Sequence, residues 1–508
     1  MQAHWKVLLW MLGGLVVGLL FQAFLDAPAW SGSTWRAADG GIELVSATGP
    51  AAKSQLVQGV PYDRLIVDRG TPEESLVPLA TPEDFEVAQA ARENGEVVWL
   101  VAAGDAEVLA PVAVALGMAP DAPRARWVWP FAFGADIFMA LLKMLIVPLV
   151  LASIVAGVAS VGALQDLRRL GLKTFGYYMG TSLLAVLLGQ FLVNLISPGE
   201  GAQLGLSASA SVGDRVENPL EILRRMIPEN VISSMTSNGA MLQVIFFALL
   251  LGYFITRTTE PHSSRLRETF EAFFQVMMRM AEGVLKLLPY GVFCLLVKVV
   301  ASTGFEPFKA LLLYMFTVAL ALVLHAAVTL PLVLKFVGKV SPWRWAKAMS
   351  PALMTAFSTS SSSMTLPVTL KTVETRGGVS NKVTSFTLPL GATINMDGTA
   401  LYECIGVIFL AQYYASLGGE PLTFSAQALV VVMALLASVG AAGIPSAGLV
   451  MMLTILSALD LPLEGAALLL AVDRPLDMMR TVVNVWSDSC GAAVVGQSEG
   501  ELDLPGST

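Results

Sequence analysis

Asp473, Asp477, Arg480, Asn484 and Asp488 recur at offsets of 0, 4, 7, 11 and 15 within one apolar run, AVDRPLDMMRTVVNVWSDSCGAAVV. At 100° per residue they occupy about 80° of arc, so a helix presents all five on one face. A charge at bilayer depth costs about 2.5–3.5 kcal/mol on insertion scales. A face of this kind holds cations and a charged solute, or its members pair with each other, Asp477 with Arg480 for example.

A second stretch, GATINMDGTALYE, breaks its helix where it should be most apolar, at Gly391, Asn395, Asp397 and Gly398. Unwinding frees carbonyl oxygens, and carbonyls beside a carboxylate suit a hard cation such as Na⁺. Asp397 capping a kink is the other reading. Glu403 is a further acid inside an apolar segment, read either as a proton carrier or as a structural hydrogen-bonding group. Tyr177, Tyr178, Thr181 and Ser182 form a polar patch at helical spacing.

The 508 residues are 55% hydrophobic and 14% charged, with a mean hydropathy of +0.67. Soluble domains carry about 25% charged residues, so this is a polytopic membrane protein. The formal net charge is −8, and residues 26–129, with 15 acids against 7 bases, account for all of it. No basic patch points to nucleic acid. Cys294, Cys404 and Cys490 all sit in apolar segments and suggest no disulfide framework. An intramembrane hydrolase built on the serine run lacks a base: of His4, His262 and His325 only the last falls in a span, and no GxSG or HExxH occurs. Nothing forms the symmetric filter of a channel.

The elements that must position these residues read as an all-α membrane bundle with one soluble insertion. A first span covers 1–25, read as a retained helix, not a cleaved signal peptide. Residues 26–129 read as a small α/β extracytoplasmic insertion. Its strands are GIELVSAT, YDRLIVD and EVVWLVAA, and its helix is capped by Thr81. It is either a bland decoration or a docking surface or lid. Further spans follow at 130–162, 171–197, two within 219–301, and 306–338. Residues 341–375 and 426–458 each consist of two short apolar arms around a broken centre. The centres are FSTSSSSM and SVGAAGIPSAG, and both segments read as re-entrant hairpins, the serine run having a solvent loop as its other reading. Each is followed by a span, at 378–412 and 461–496. Paired interruptions of this sort mark an inverted-repeat transporter with a midplane site. Lys and Arg cluster in alternate loops, at 168–173, 257–267, 335–347 and 371–382. They place both termini in the cytoplasm and 26–129 outside the cell or inner membrane.

YYMGTS at 177–182, TSSSSMTLP at 359–367, GATINMDGTALYE at 391–403 and DRPLDMMRTVVN at 473–484 together resemble the glutamate transporter family, the dicarboxylate/amino acid:cation symporters. The resemblance covers nearly the whole chain except 26–129. It implies eight transmembrane helices and two re-entrant helical hairpins in inverted repeats, assembled as a homotrimer. Spans one, two, four and five would form a scaffold; spans three, six, seven and eight with both hairpins would slide across the bilayer as an elevator. It implies no enzyme but Na⁺-coupled, proton-linked symport of L-glutamate and L-aspartate. Symport of neutral amino acids or C4-dicarboxylates is the same-fold alternative.

The resemblance also implies roles. Arg480 would bind a side-chain carboxylate, Asp477 the ammonium, and Thr399, Thr481 and Asn484 the remaining polar groups. Ser361, Ser362 and Ser363, with the outer hairpin at Gly443, would hold the α-carboxylate. One Na⁺ site would use Gly391, Asn395, Asn484 and Asp488. A second would use Thr393 and carbonyls of Ser438, Val439 and Ala441. A third would use Tyr178, Thr181, Ser182, Asn395 and Asp397. Glu403 matches the acid linked to proton co-transport. Two departures stand out. Many microbial members carry arginine where Ser360 stands, and animal-type glutamate members carry one where Met478 stands. Arg474 lies about 100° from Asp473 on the helix and is not expected to substitute. The partner of Asp477, and any K⁺ counter-transport, stay open.

Overall fold

The computed structural model describes residues 3–503 except 53, 55, 68, 70–73, 93, 95, 104–110, 163–167, 203, 205–223, 225, 226, 237–240, 305, 418–420, 441–446 and 460. Helix dominates it. Among the described residues four helices are long and apolar enough to cross a bilayer: Pro123–Ala159, Arg169–Ile196, Pro307–Phe336 and Asn381–Ser416. A fifth span arises if α8 (His262–Leu285) and α9 (Leu288–Thr303), which meet at 52°, count as one. The final helix, α18 (Glu464–Glu499), is not in that set. Asp473, Asp477, Arg480, Asn484, Asp488 and Arg474 lower its apolarity.

The helices fall into two packed groups. α1 (Ala3–Phe24) lies on α9, and α4 (Pro123–Gly162) packs on α8, α9 and α7 (Met241–Arg257), which short α6 (Val231–Met235) adjoins. The second group centres on α15 (Asp397–Ser416), which packs on α5 (Arg168–Ile196), α16 (Phe424–Gly440), α17 (Ala447–Ala458) and α18. α10 (Glu306–Leu324), a π turn at His325–Thr329 and α11 (Leu330–Phe336) run as one rod against it. α12 (Pro342–Thr359) and α13 (Ser362–Thr375) fold back on each other and on α18, as α14 (Asn381–Ile394) does on α18. α16 and α17 touch α4 across the groups.

The insertion joins this body at a neck. β1 (Ala29–Trp30) pairs antiparallel with β8 (Gly117–Met118), bringing its ends together. Beyond the neck, β2 (Ser33–Ala38), β3 (Gly41–Ala47), β4 (Pro61–Val67), β6 (Val97–Ala102) and β7 (Val112–Ala115) form one antiparallel sheet in that order. β5 (Ser75–Pro78) pairs on β4. Short α2 (Gly49–Ala52) and α3 (Pro82–Ala90) complete the lobe. α3 starts where its cap predicts: Asp84 Oδ2 accepts from the Thr81 N–H at 2.7 Å. The expected strands match β3, β4 and β6; β2, β5 and β7 are short or alternate with polar residues and left no clear trace. β6 is buried on both faces, which explains its unbroken apolar run VVWLVA. Val98 and Leu100 join the lobe's own core with Leu65 and Phe85. Trp99, with Ile66 and Val97, joins the core of the membrane helices.

The expected boundary at 129 falls inside a helix, since α4 begins at Pro123. Arg124 and Arg126 gave its first turns a soluble look, but Arg124 is structural. Its Nε donates to Leu25 O at 2.7 Å, its Nη2 to Gln22 O at 3.0 Å and its Nη1 to Ala301 O at 3.5 Å. One guanidinium thereby satisfies carbonyls left open at the ends of α1 and α9. The two spans expected at 378–412 and 461–496 lie three or four residues further along, at Asn381–Ser416 and Glu464–Glu499.

Candidate substrate and ion site

Two helix breaks and one charged helix face make the site. Between α14 and α15 only Asn395 and Met396 are non-helical, both buried. Between α12 and α13, Ser360 takes a left-handed conformation at φ 50° and is buried. That conformation is costly for a non-glycine residue. Ser361 then caps α13, its Oγ accepting from Met364 N at 3.2 Å. The first N–H groups of α15 find partners on α18: Asn484 Oδ1 accepts from Gly398 N at 2.8 Å. Asn484 Nδ2 reaches Thr399 Oγ1 at 3.3 Å and Met396 Sδ at 3.2 Å.

The α18 face is a linked chain of charges. Arg480 Nη2 donates to Asp473 Oδ1 at 3.0 Å and to Asp477 Oδ1 at 2.8 Å. Arg474 Nη1 donates to Asp477 Oδ2 at 3.3 Å. The pairing of Asp477 with Arg480 weighed from the sequence is therefore present. The expectation that Arg474 does not substitute is corrected. Its offset from Asp473 was the wrong measure, since at i,i+3 it neighbours Asp477. Arg480 is 1% exposed, stacks 3.8 Å from the Tyr402 ring centroid, and has no partner for Nε or Nη1 among the described residues. A Cβ on Gly448 would lie 2.6 Å from that Nη1, and one on Gly398 2.7 Å from Arg480 O. Glycine at 448 lets α17 close on the guanidinium, and glycine at 398 lets α15 approach the α18 backbone. Thr481 Oγ1 bonds Asp477 O at 2.8 Å.

Deeper in the bundle sit two buried carboxylates. Asp397 accepts from Ser182 Oγ at 2.5 Å, Ser487 Oγ at 2.7 Å and Thr181 Oγ1 at 3.4 Å, and lies 3.2 Å from His325 Nε2. His325 stands in the π turn, a local bulge that turns a side chain inward. Asp488 Oδ1 accepts from Asn395 Nδ2 at 2.8 Å, while Asn395 Oδ1 has no partner among the described residues. Tyr178 is buried beside them, its hydroxyl donating to Thr387 O at 2.8 Å. An added Cβ at Gly391 would sit 2.4 Å from Asp488 Oδ1 and 2.7 Å from the Tyr178 hydroxyl, so any larger residue there displaces those groups. Gly391→Ala is expected to lower solute uptake at least about tenfold, a shift of 1.4 kcal/mol or more. Radiotracer uptake by the reconstituted variant checks it.

Tyr178, Thr181, Ser182, Gly391, Asn395, Asp397, Thr399, Asp477, Arg480, Thr481, Asn484 and Asp488 are thus buried within the α5, α14, α15 and α18 group. Ser361 and Ser362 are buried at the start of α13. Ser363 and Thr393, expected with them, are exposed. Ser438 and Val439 lie in the last turn of α16. Ala441 and Gly443 lie outside the described residues. Glu403 is fully buried, and neither carboxylate oxygen has a partner among the described residues. Sequence reasoning missed His325, Ser487, Tyr402 and Arg474 as site residues. A histidine inside an otherwise apolar span was the one available signal.

The profile of the sodium:dicarboxylate symporter family matches residues 109–498. The chain belongs to that family. Its relatives include an excitatory amino acid transporter of Caenorhabditis elegans, 34% identical over 420 residues that cover 73% of this chain and 82% of the relative. Human excitatory amino acid transporter 3 is 36% identical over 428 residues, 73% of this chain and 80% of that protein. Mouse excitatory amino acid transporter 2 is 35% identical over 431 residues, 73% and 74% of the two chains. As a member of this symporter family the protein is a secondary transporter and not an enzyme, with several spans in a membrane. Sodium co-transport is the family's property.

Proposed function

We propose that the protein is a Na⁺-driven, proton-linked symporter of L-aspartate and L-glutamate. The observation that carries this reading is the Arg480 guanidinium, buried with Nε and Nη1 unpaired beside Thr399 and Gly448. An unpaired buried guanidinium donor is expensive, and a carboxylate is its best partner. A solute carboxylate gains the two-pronged Nη1/Nη2 contact only by drawing Nη2 away from Asp473 or Asp477. That exchange frees an Asp477 oxygen for the solute ammonium, so the cargo replaces contacts that the empty helix makes with itself.

Cations would be held where carboxylates and free oxygens converge. Asp488, Asn395, Asn484 and Gly391 form one set; Asp397, Asn395, Tyr178, Thr181 and Ser182 form another. Thr393 with carbonyls of Ser438, Val439 and Ala441 remains the proposed third. The unpartnered Asn395 Oδ1 supports the first two, because a buried amide oxygen without a donor suits a hard cation. Ser361, Ser362, Ser363 and Gly443 are proposed to hold the α-carboxylate.

Eight spans with α12–α13 and α16–α17 as re-entrant hairpins, a homotrimer and an elevator motion complete the proposal. The separation of the helices into two packed groups supports it. So does the break between α12 and α13 at Ser360, since irregular backbone at membrane depth is tolerated only inside protein. Both termini are proposed to be cytoplasmic and the lobe extracytoplasmic.

Glu403 is proposed to carry the coupled proton, supported by its two buried oxygens without partners. Glu403→Gln should make aspartate uptake independent of an imposed pH gradient. Uptake that still follows the gradient in the variant removes Glu403 from that role.

A C4-dicarboxylate is favoured as the alternative by one observation: Asp477 already faces two guanidinium groups, so an ammonium is not obligatory. Uptake of radiolabelled L-aspartate into proteoliposomes under separate Na⁺, H⁺ and K⁺ gradients, with succinate and serine as competitors, tests the proposal. Accumulation driven by Na⁺ and resistant to succinate is expected. Uptake indifferent to Na⁺, or blocked equally by succinate, contradicts it.

A further inference from the structure

We infer that Arg474 is a positioning and affinity-setting residue for the amino acid cargo, a role that rests on the aspartate/glutamate reading above. Four side chains on α18 form one line: Arg474 to Asp477, Asp477 to Arg480, Arg480 to Asp473. Two are positive and two negative, so the line is neutral as a whole. Asp473, Asp477 and Arg480 are buried, and the Arg474 side chain is only 14% exposed. Coulombic imbalance in such a place is weakly screened.

Each end of the line does something different. Asp473 and Asp477 share Nη2 of Arg480, the group that must meet a cargo carboxylate. Arg474 holds the other oxygen of Asp477, Oδ2, from the preceding turn. When a cargo carboxylate draws Arg480 away, Asp477 keeps one cation and one fixed direction. Its Oδ1 is then presented to the ammonium without a search over rotamers, which is a saving in ordering cost on binding. Arg474 also sets the charge balance. With it, an anionic amino acid enters a neutral line. Without it, the line is already at −1 before the anion arrives, and like charges in a desolvated site repel. Arg474 Nε is buried and has no partner among the described residues.

The test is kinetic. Arg474→Met keeps the bulk and removes the charge; Arg474→Lys keeps the charge. In Na⁺-loaded proteoliposomes with protein amounts matched, Arg474→Met is expected to raise the KM for L-aspartate about tenfold, equal to 1.4 kcal/mol. Vmax should stay within about threefold, and Arg474→Lys should bring KM back to within about threefold of the wild type, or 0.6–0.7 kcal/mol. Should Arg474→Met fail to reach the membrane, Arg474→Gln carries the same comparison, since it is likewise neutral but keeps a polar tip. An unchanged KM, a fall in Vmax alone, or a lysine variant as impaired as the neutral one overturns the inference and leaves a packing role. Wild-type protein that shows no Na⁺-dependent aspartate uptake overturns the functional reading itself, a result separable from all of these.

Discussion

Arg480→Cys is expected to abolish Na⁺-driven aspartate uptake while leaving Na⁺-driven uptake of a neutral amino acid such as serine measurable. The size follows from what the substitution leaves behind. Arg480 Nη2 serves two buried acids, and its Nη1 is the unpaired donor facing Thr399 and Gly448. Truncating one partner of a buried, hydrogen-bonded charge pair costs about 2–5 kcal/mol. That range corresponds to a loss of roughly 30- to 4,000-fold in affinity. Aspartate loses the partner of its side-chain carboxylate and meets two unpaired acids, Asp473 and Asp477. Serine has no such carboxylate and should be spared most of this. Uptake of both solutes by reconstituted protein at matched density measures the effect. Aspartate uptake that persists unchanged removes Arg480 from carboxylate recognition.

The second large effect is expected at Asp397. Three hydroxyl oxygens and His325 surround this fully buried carboxylate on α5, α18 and the π turn. Asp397→Asn removes the charge that would draw a cation there. It also turns an amide N–H₂ toward groups that already donate. Hydrogen bonds to charged groups are worth about 1.5–3 kcal/mol each. Losing one or two predicts at least about a tenfold rise in the Na⁺ concentration for half-maximal uptake, at 1.4 kcal/mol per decade. Uptake rates across a Na⁺ series measure it. An unchanged Na⁺ midpoint means that the carboxylate holds the helices together and takes no part in cation binding.

What the sequence revealed and what it hid differ in kind. A charge in an apolar span is expensive wherever it lies, so Asp397, Glu403, Asp477, Arg480 and Asp488 were visible without any tertiary information. The spacing of Asp473, Asp477, Arg480, Asn484 and Asp488 also placed all five on one helix face. Helix breaks were legible because glycine and asparagine mark them, and the non-helical step at Asn395 and Met396 falls where Gly391 to Gly398 pointed.

Partners across helices were not legible, because nothing local relates residue 325 to residue 397. His325 reaches Asp397 only after a π turn rotates it inward. Arg474 was misjudged for a subtler reason. Its angle was taken from Asp473, while its contact is with Asp477 one turn on. The lobe shows the same limit: β6 was clear from six apolar residues, five of them buried, but short β5 and β7 depend on pairing with β4 and β6. The start of α4 was hidden by Arg124, whose charge is absorbed by carbonyls of two other helices.

Titration calorimetry on the purified protein tests the central claim most directly. L-aspartate added in sodium chloride should release saturable heat, and the same titration in choline chloride should not. Heat of equal size in both salts, or none in sodium, would mean that the buried acids and arginines of α18 serve only one another.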